Sequence, residues 1–512
     1  MIRFLLLFVP FLCASAYGAE PQTCPTDGDW LTGTNYLKAL SLDLRGVVPT
    51  FEEYQEVASS GEVPEAWIDA WLSEEAFAER VVRVHRDLLW NNVSEVILDT
   101  AAHRMRSTGG IYWRTTPADD YRGETVYCGD FEASFDEDGV PIAYEREDGF
   151  QEGWVWVNPY WDPENPIRVC AFDAQENQYA ANGIDCSTSG GRTNADCGCG
   201  PDLRWCTLYT QHKAVGSSFS KDVDLRVREN ILSDAPYTDL FKSRFGYVNG
   251  PMADYFSHRT QLPGNIRFTE LPIQPEALPD LDFVDVDQWE RVDWGEQPAG
   301  ILTSPAFLLR FHTNRSRADR FYNSFLCQPF QPPDTGLVGL EEVEATLDLT
   351  ARAGCNGCHA LLEPAAAYWG RWTEQGGGYL DKANFPSFSE SCSHCAETGQ
   401  PCDAECRYYL TDTLAQEQYP YVGWLNSYQF LDLRHEEHVN EGPALLVNRS
   451  LSDGRFSECT AKTTAKYLMR RELEPGEEEW LDELVFVLEN SGFQYKELVR
   501  AIVTSDNYRR VR

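Results

Sequence analysis

Two cysteines and a histidine stand close together at Cys355, Cys358 and His359, in the order Cys-Asn-Gly-Cys-His. Cys-x-x-Cys-His is the pattern that attaches haem c. The two thiols can add to the haem vinyl groups, and the histidine can bind the iron as proximal axial ligand. A disulfide or zinc-binding Cys-x-x-Cys that precedes a histidine by chance is the alternative. We therefore predict one covalent haem c, anchored by Cys355 and Cys358 and ligated by His359.

The distal ligand of that iron is left open by the sequence. The methionines beyond the N-terminal segment are Met105, Met252 and Met469. Met252 and Met469 occupy apolar positions of amphipathic helices, so we expect both to pack in the core. His312, which precedes the haem segment, is the candidate distal ligand, and an open sixth position is the alternative. Methionine or histidine ligation favours electron transfer, whereas an open position permits peroxide chemistry.

The N-terminus has the features of a secretory signal peptide. Arg3 supplies a basic start, residues 4–12 are apolar, and small residues follow up to Ala19. The apolar run is too short to span a bilayer, and no other run of about 18 apolar residues follows. We predict a signal peptide over 1–18 and no integral membrane segment after its removal.

Charge and cysteine content narrow the possible partners and the compartment. The formal net charge is −38, with 81 acidic against 43 basic residues, which argues against nucleic acid as a partner. A basic redox partner protein would be attracted to such a chain. The chain has 16 cysteines, and such density in an exported protein indicates an oxidising compartment. We expect the protein to be located in a bacterial periplasm or at the cell surface. The sequence does not indicate its oligomeric state.

Most other cysteines are expected to form disulfides. The first cluster should form two bonds among Cys186, Cys197, Cys199 and Cys206. The second cluster has a spacing that zinc would accept, although disulfides are favoured in an oxidising compartment; it contains Cys392, Cys395, Cys402 and Cys406. Removal of the signal peptide takes Cys13 and leaves 15 cysteines, and haem attachment leaves 13, an odd number that implies at least one free or intermolecular thiol. His435 and His438 flank two glutamates, and we expect a solvated charged turn there.

The apolar spacing predicts a mainly α fold, built from helical modules, a cytochrome c-like haem segment and a disulfide-rich irregular or β insertion. Ser73 is expected to cap a helix that starts near Glu74. In the tail, Leu484 and Leu488 should face the core, and Gly492 should end their helix. The predicted units are a signal peptide (1–18), an N-terminal helical module (19–106), a cysteine-rich insertion (107–215), a central helical module (216–335), a haem segment with a cysteine-rich loop (336–450) and a C-terminal helical module (451–512).

The residues after the haem motif resemble the planctomycete-type cytochrome c proteins, which are exported, have several modules and have no established activity. The resemblance is carried by the acidic-Pro pair Glu363-Pro364, where the family usually has aspartate, and by the Trp-Gly-Arg-Trp segment at 369–372, where the family has a Gly-aromatic-Arg turn. Segments at 41–53, 247–253, 300–328 and 459–471 are similar to other modules of that family, in the same order. The family implies an exported, largely helical haem c protein. Cys327 and Cys459 lie in family-like segments, and we expect them to pair.

Three functions fit these observations. The first is a mono-haem c protein that transfers single electrons in the periplasm or at the cell surface. The second is a haem-dependent, peroxidase-like oxidoreductase, because 512 residues far exceed the roughly 100 that a simple carrier needs. The third is a non-redox exported binding or scaffold protein. No nucleophile elbow, phosphate-binding loop or dinucleotide fingerprint occurs, so whether the chain is an enzyme stays open.

Overall fold

The fold is mainly α, as predicted, with about 49% of residues in helices and 13% in strands. The computed structural model describes residues 30–99, 104–114, 126–188, 190–191, 194–260, 262, 267–295, 299–330, 349–350, 352, 354–413, 416–425 and 435–510. The predicted signal peptide lies outside these residues, as do Cys13 and Cys24. No helix among the described residues is long and apolar enough to cross a membrane.

The N-terminal part consists of four helices, α1 to α4, at Gly33–Leu44, Phe51–Ser60, Glu65–Leu72 and Glu75–Leu89. A capping box starts α2, in which the Thr50 hydroxyl accepts from the Glu53 amide and the Glu53 carboxylate accepts from the Thr50 amide. The predicted cap at Ser73 is wrong. Ser73 instead ends α3, where its hydroxyl donates to the Asp69 carbonyl, and Glu74 is the residue before α4.

The cysteine-rich insertion contains a six-stranded sheet in the order β1-β2-β6-β5-β3, with β4 paired to β5. The strands β1 to β6 are Met105–Thr108, Ile111–Arg114, Val126–Glu132, Tyr144–Arg146, Gly149–Val157 and Ile167–Cys170. Three disulfides fasten this region, and they join Cys128 to Cys170, Cys186 to Cys197 and Cys199 to Cys206. The two bonds predicted for the first cysteine cluster are therefore confirmed, and the strand content exceeds the few strands expected.

Helices return with α5, which begins at Tyr209, inside the predicted insertion. The central elements are α5 (Tyr209–Leu232), β7 (Phe245–Val248), α6 (Gly250–Asp254), β8 (Glu290–Asp293), α7 (Pro305–Arg310) and α8 (Asn314–Phe325). β7 and β8 form an antiparallel pair. Helices α9 to α15 follow at Asn356–Ala366, Glu390–Thr398, Glu436–Ser452, Arg455–Met469, Glu478–Asn490, Tyr495–Thr504 and Asp506–Arg509.

A single hydrophobic cluster runs through almost the whole chain, from Tyr36 to Tyr508. It takes residues from the N-terminal, central, haem-segment and C-terminal parts, so the predicted helical modules share one core. Met252 is fully buried in it and Met469 packs against it, as predicted. In the tail, Leu484 and Leu488 are buried, and Gly492 follows α13 with a φ of 72°, a left-handed conformation that favours glycine.

His85 gives the fold a predicted pH dependence. Its ring is buried, Nδ1 lies 2.8 Å from the Val81 carbonyl and Nε2 lies 2.9 Å from the Tyr237 hydroxyl. Burial lowers the pKa of His85 from 6.5 to about 4, so the native state holds the ring neutral. Between pH 6.5 and pH 4 the His85 ring is protonated in the unfolded chain but stays neutral in the native chain. The free energy of unfolding is therefore expected to fall by about 3 kcal/mol from this group as the pH drops from 6.5 to 4.

Comparison with His85→Gln isolates that contribution. Other groups, including the buried His212, titrate alike in both chains and cancel in the difference. Denaturant unfolding curves at pH 7, 5 and 4 should show that the variant loses less stability on acidification than the native chain. Equal losses in the two chains would contradict the prediction.

Candidate functional site

The candidate site is defined first by the cysteines that form no disulfide. Three further disulfides join Cys327 to Cys459, Cys392 to Cys406 and Cys395 to Cys402. The pair expected from the family resemblance is therefore confirmed. The second cysteine cluster forms disulfides, so its thiolates are not available to zinc. Among the described cysteines, Cys355 and Cys358 are the two that remain as thiols.

The Cys-x-x-Cys-His segment forms the first turn of α9. Gly354 precedes it with a φ of 81°, a left-handed conformation that glycine adopts without strain. The amides of Cys358 and His359 then both donate to the Cys355 carbonyl, at 3.3 and 3.0 Å. Residues three and four apart lie on one side of a helix, so both thiols and the imidazole share a side of α9. Cys355 and Cys358 are both half-buried.

A buried carboxylate orients His359. The ring Nδ1 donates to Glu363 Oε1 at 2.6 Å, one helical turn further along α9. Arg315 on α8 donates to the same oxygen from Nε at 2.7 Å. Glu363 is only 3% exposed, so the hydrogen bond is protected from water. Because Nδ1 is engaged, Nε2 is the ring nitrogen left to bind a metal.

Glu363 has a role that the sequence analysis did not assign. The family resemblance marks it only as a glutamate at the usual aspartate position. Its signal was nevertheless in the sequence, because His359 and Glu363 are four residues apart in a predicted helix and such pairs are neighbours. The second oxygen, Oε2, is buried and has no hydrogen-bond partner among the described residues. Glu363 therefore holds the imidazole through one oxygen alone.

The turn at 369–372, which carries part of the family resemblance, is structural. Trp369 is fully buried and donates from Nε1 to the Leu302 carbonyl at 3.1 Å. Arg371 is 2% exposed and donates to the carbonyls of Leu380 and Phe385 and to the Asn440 side chain. These bonds fix the end of α9 against the loop that follows it.

His312 lies between α7 and α8 and is exposed. Its carbonyl accepts from the Gln375 amide at 2.6 Å, which fixes the backbone at this position. No bond joins its imidazole to the side chains of α9 in the described part of the chain. Its assignment as distal ligand stays a prediction.

His438 is not part of a solvated turn. Its ring stacks on Tyr368, with centroids 4.2 Å apart and planes inclined by 10°. Nδ1 donates to the Pro364 carbonyl at 3.0 Å, and Nε2 lies 2.7 Å from the Arg449 guanidinium. The prediction was therefore wrong for His438, because the imidazole packs under the end of α9, although Glu436 and Glu437 are exposed as expected.

A cavity of about 880 Å³ lies away from the Cys-x-x-Cys-His turn. It is lined by residues of α4, α5 and α7, among them Arg86, Asp224 and Arg310, and its lining includes none of the three motif residues.

Comparison of the chain with models of protein families, with curated proteins and with solved structures found no match. The site is therefore interpreted from its own chemistry.

Proposed function

We propose that this chain is an exported mono-haem c protein, of the planctomycete-type cytochrome c group, that transfers single electrons. One observation carries the proposal. The two described cysteines that form no disulfide stand in one helical turn with a histidine whose Nδ1 is held by a buried carboxylate. This donor set fits haem c, which needs two thiols and one imidazole nitrogen.

The residues divide the work between attachment and ligation. Cys355 and Cys358 would form the two thioether bonds, and Nε2 of His359 would bind the iron. Bound haem c supplies a centre that accepts and releases one electron. The chain contributes the orientation of the imidazole through Glu363, whose own position is fixed by Arg315 on α8.

Export and the choice of partner belong to the same proposal. The six disulfides among the described residues are compatible with an oxidising compartment such as the periplasm or the cell surface. The net charge of −38 would steer a basic redox partner toward this protein, and association with it should slow as ionic strength rises.

A redox titration tests electron transfer. The mature protein, produced together with a cytochrome c maturation apparatus, is titrated in both directions while its visible spectrum is recorded. We expect a reversible one-electron transition and a six-coordinate, low-spin spectrum. A five-coordinate centre that binds cyanide or peroxide would favour the haem-dependent oxidoreductase instead. His312→Ala should change the spin state if His312 is the distal ligand.

Removal of the charge on Glu363 is expected to raise the midpoint potential. A carboxylate that accepts from Nδ1 makes the imidazole a stronger donor and stabilises the ferric state. In Glu363→Gln the neutral amide oxygen still accepts the hydrogen bond from Nδ1. It lacks the negative charge that makes the imidazole a stronger donor to the iron. We expect a rise of about 59 mV or more, which is tenfold in the one-electron equilibrium constant. Glu390→Gln, which removes one exposed charge at the start of α10, is the control and should shift the potential far less.

A further inference from the structure

A basic cavity lies between α4 and the end of α12. It measures about 710 Å³, and five of its lining residues are Arg80, Arg83, Lys466, Arg470 and Arg471. Two acidic residues, Asp43 and Glu472, also line it. Such an excess of positive charge is unusual in a chain with 81 acidic and 43 basic residues.

Two of the five cations form no ion pair with a described residue. Arg470 pairs with Asp43 at 2.9 Å, Arg471 pairs with Glu477 at 2.6 Å, and Lys466 pairs with Glu472. By contrast, neither Arg80 nor Arg83 forms an ion pair with any described residue. The Arg80 guanidinium donates to the backbone carbonyl of Asp43 at 3.2 Å, and Arg83 is exposed.

A helix dipole accounts for only part of this cluster. Lys466 lies in the last turn of α12 and Arg470 and Arg471 follow it, where cations favour the carbonyl end of the helix. Arg80 and Arg83 lie in the middle of α4, so a helix dipole does not account for their positions. They are three residues apart and share a face of α4, so their like charges repel, and an anion between them would relieve that repulsion.

A second cavity, of about 400 Å³, shares Asp43 and Arg470 with the first. Its lining is mixed: one wall is apolar and includes Leu42, Leu468 and Met469, while Lys38 and Arg510 add further positive charge. A basic cavity that continues to an apolar wall suits a ligand that carries a charged group on an organic body. The volume of the basic cavity also falls in the range of small-molecule sites, and an inorganic ion would fill little of it.

We propose that the basic cavity binds an organic phosphate or sulfate monoester. Its tetrahedral anion would lie between Arg80 and Arg83, because guanidinium groups match the oxygens of such anions with paired hydrogen bonds. Its organic part would extend toward Leu42 and Leu468. The site is independent of haem, since none of its residues belongs to the Cys-x-x-Cys-His turn.

Calorimetric titration of the mature, full chain tests this inference, with hexyl phosphate, hexyl sulfate and inorganic phosphate as probes. We expect one saturable site for at least one hexyl ester, and the tighter of the two identifies the ester class. Inorganic phosphate should bind at least tenfold more weakly. Absence of saturable binding by both esters, or equal affinity for inorganic phosphate, would overturn the proposal.

Matched variants locate the site. Arg83→Gln should weaken ester binding at least tenfold, and Arg80→Gln with Arg83→Gln should abolish it. Arg106→Gln removes one exposed charge from β1 and should leave binding unchanged. If the double variant does not fold, Arg83→Gln and Lys466→Gln carry the test singly. Unchanged affinity in Arg83→Gln would show that the cavity is not the site.

Discussion

Replacement of Arg317 by methionine is expected to lower the free energy of unfolding by about 4 kcal/mol or more. Arg317 is fully buried on α8. Its guanidinium donates to the Asn314 side chain and to five backbone carbonyls, those of Leu308, Phe311, Trp372, Thr373 and Gly376. Burial lowers the pKa of Arg317 to about 9, so the group is still charged at neutral pH.

The large effect follows from what the substitution leaves behind. Methionine has no donor, so several buried carbonyls lose their partners, and each unsatisfied group costs about 1–3 kcal/mol. The bonds of Arg317 also fix the segment after α9 to α8, the helix that carries Arg315. Denaturant unfolding at pH 7 measures the change, with Arg106→Met as the exposed control, expected within about 0.5 kcal/mol of the native chain. A loss below about 1 kcal/mol for Arg317→Met would contradict the prediction.

Loss of the Cys327–Cys459 disulfide is the second large effect. The bond joins residues 132 apart in sequence and ties the end of α8 to α12. A crosslink that closes a long loop restricts the unfolded chain most. For a loop of this length the lost chain entropy corresponds to about 5 kcal/mol of stabilisation of the native state. Cys327→Ala with Cys459→Ala is therefore expected to lower the free energy of unfolding by up to that amount.

A short-loop disulfide provides the matched control. Cys395 and Cys402 are 7 residues apart, and the same relation gives about 2 kcal/mol for their bond. Cys395→Ala with Cys402→Ala removes the same number of sulfur atoms. Unfolding curves of the two variants should differ by about 2–3 kcal/mol. Equal losses, or a larger loss from the short loop, would contradict the account.

Helix periodicity and cysteine spacing predicted much of the fold. Leu484 and Leu488 are buried because their spacing puts them on one side of α13, and Gly492 ends that helix because it tolerates a left-handed φ. Where two helices follow each other closely the sequence was ambiguous. Ser73 has the right type for a helix start, but it ends α3 because only two residues, Ser73 and Glu74, separate the two helices.

The rest depends on contacts between segments distant in sequence. Arg317 has no sequence signature, because its main partners are backbone carbonyls that any residue could supply. The cavity that joins Arg80 and Arg83 to Lys466 forms only when α12 packs near α4. His438 is a similar case, since its stacking on Tyr368 depends on how α11 meets the end of α9. Glu363 differs, because its four-residue spacing from His359 was visible.

The most direct test of the central claim is whether the mature chain carries covalent haem. The protein is produced with a cytochrome c maturation apparatus, extracted with acid-acetone and examined as its pyridine haemochrome, beside Cys355→Ser with Cys358→Ser. We predict one haem c per chain that survives extraction, and none in the double variant. A mature, folded chain that retains no haem, under conditions where a known cytochrome c is matured, would contradict the account.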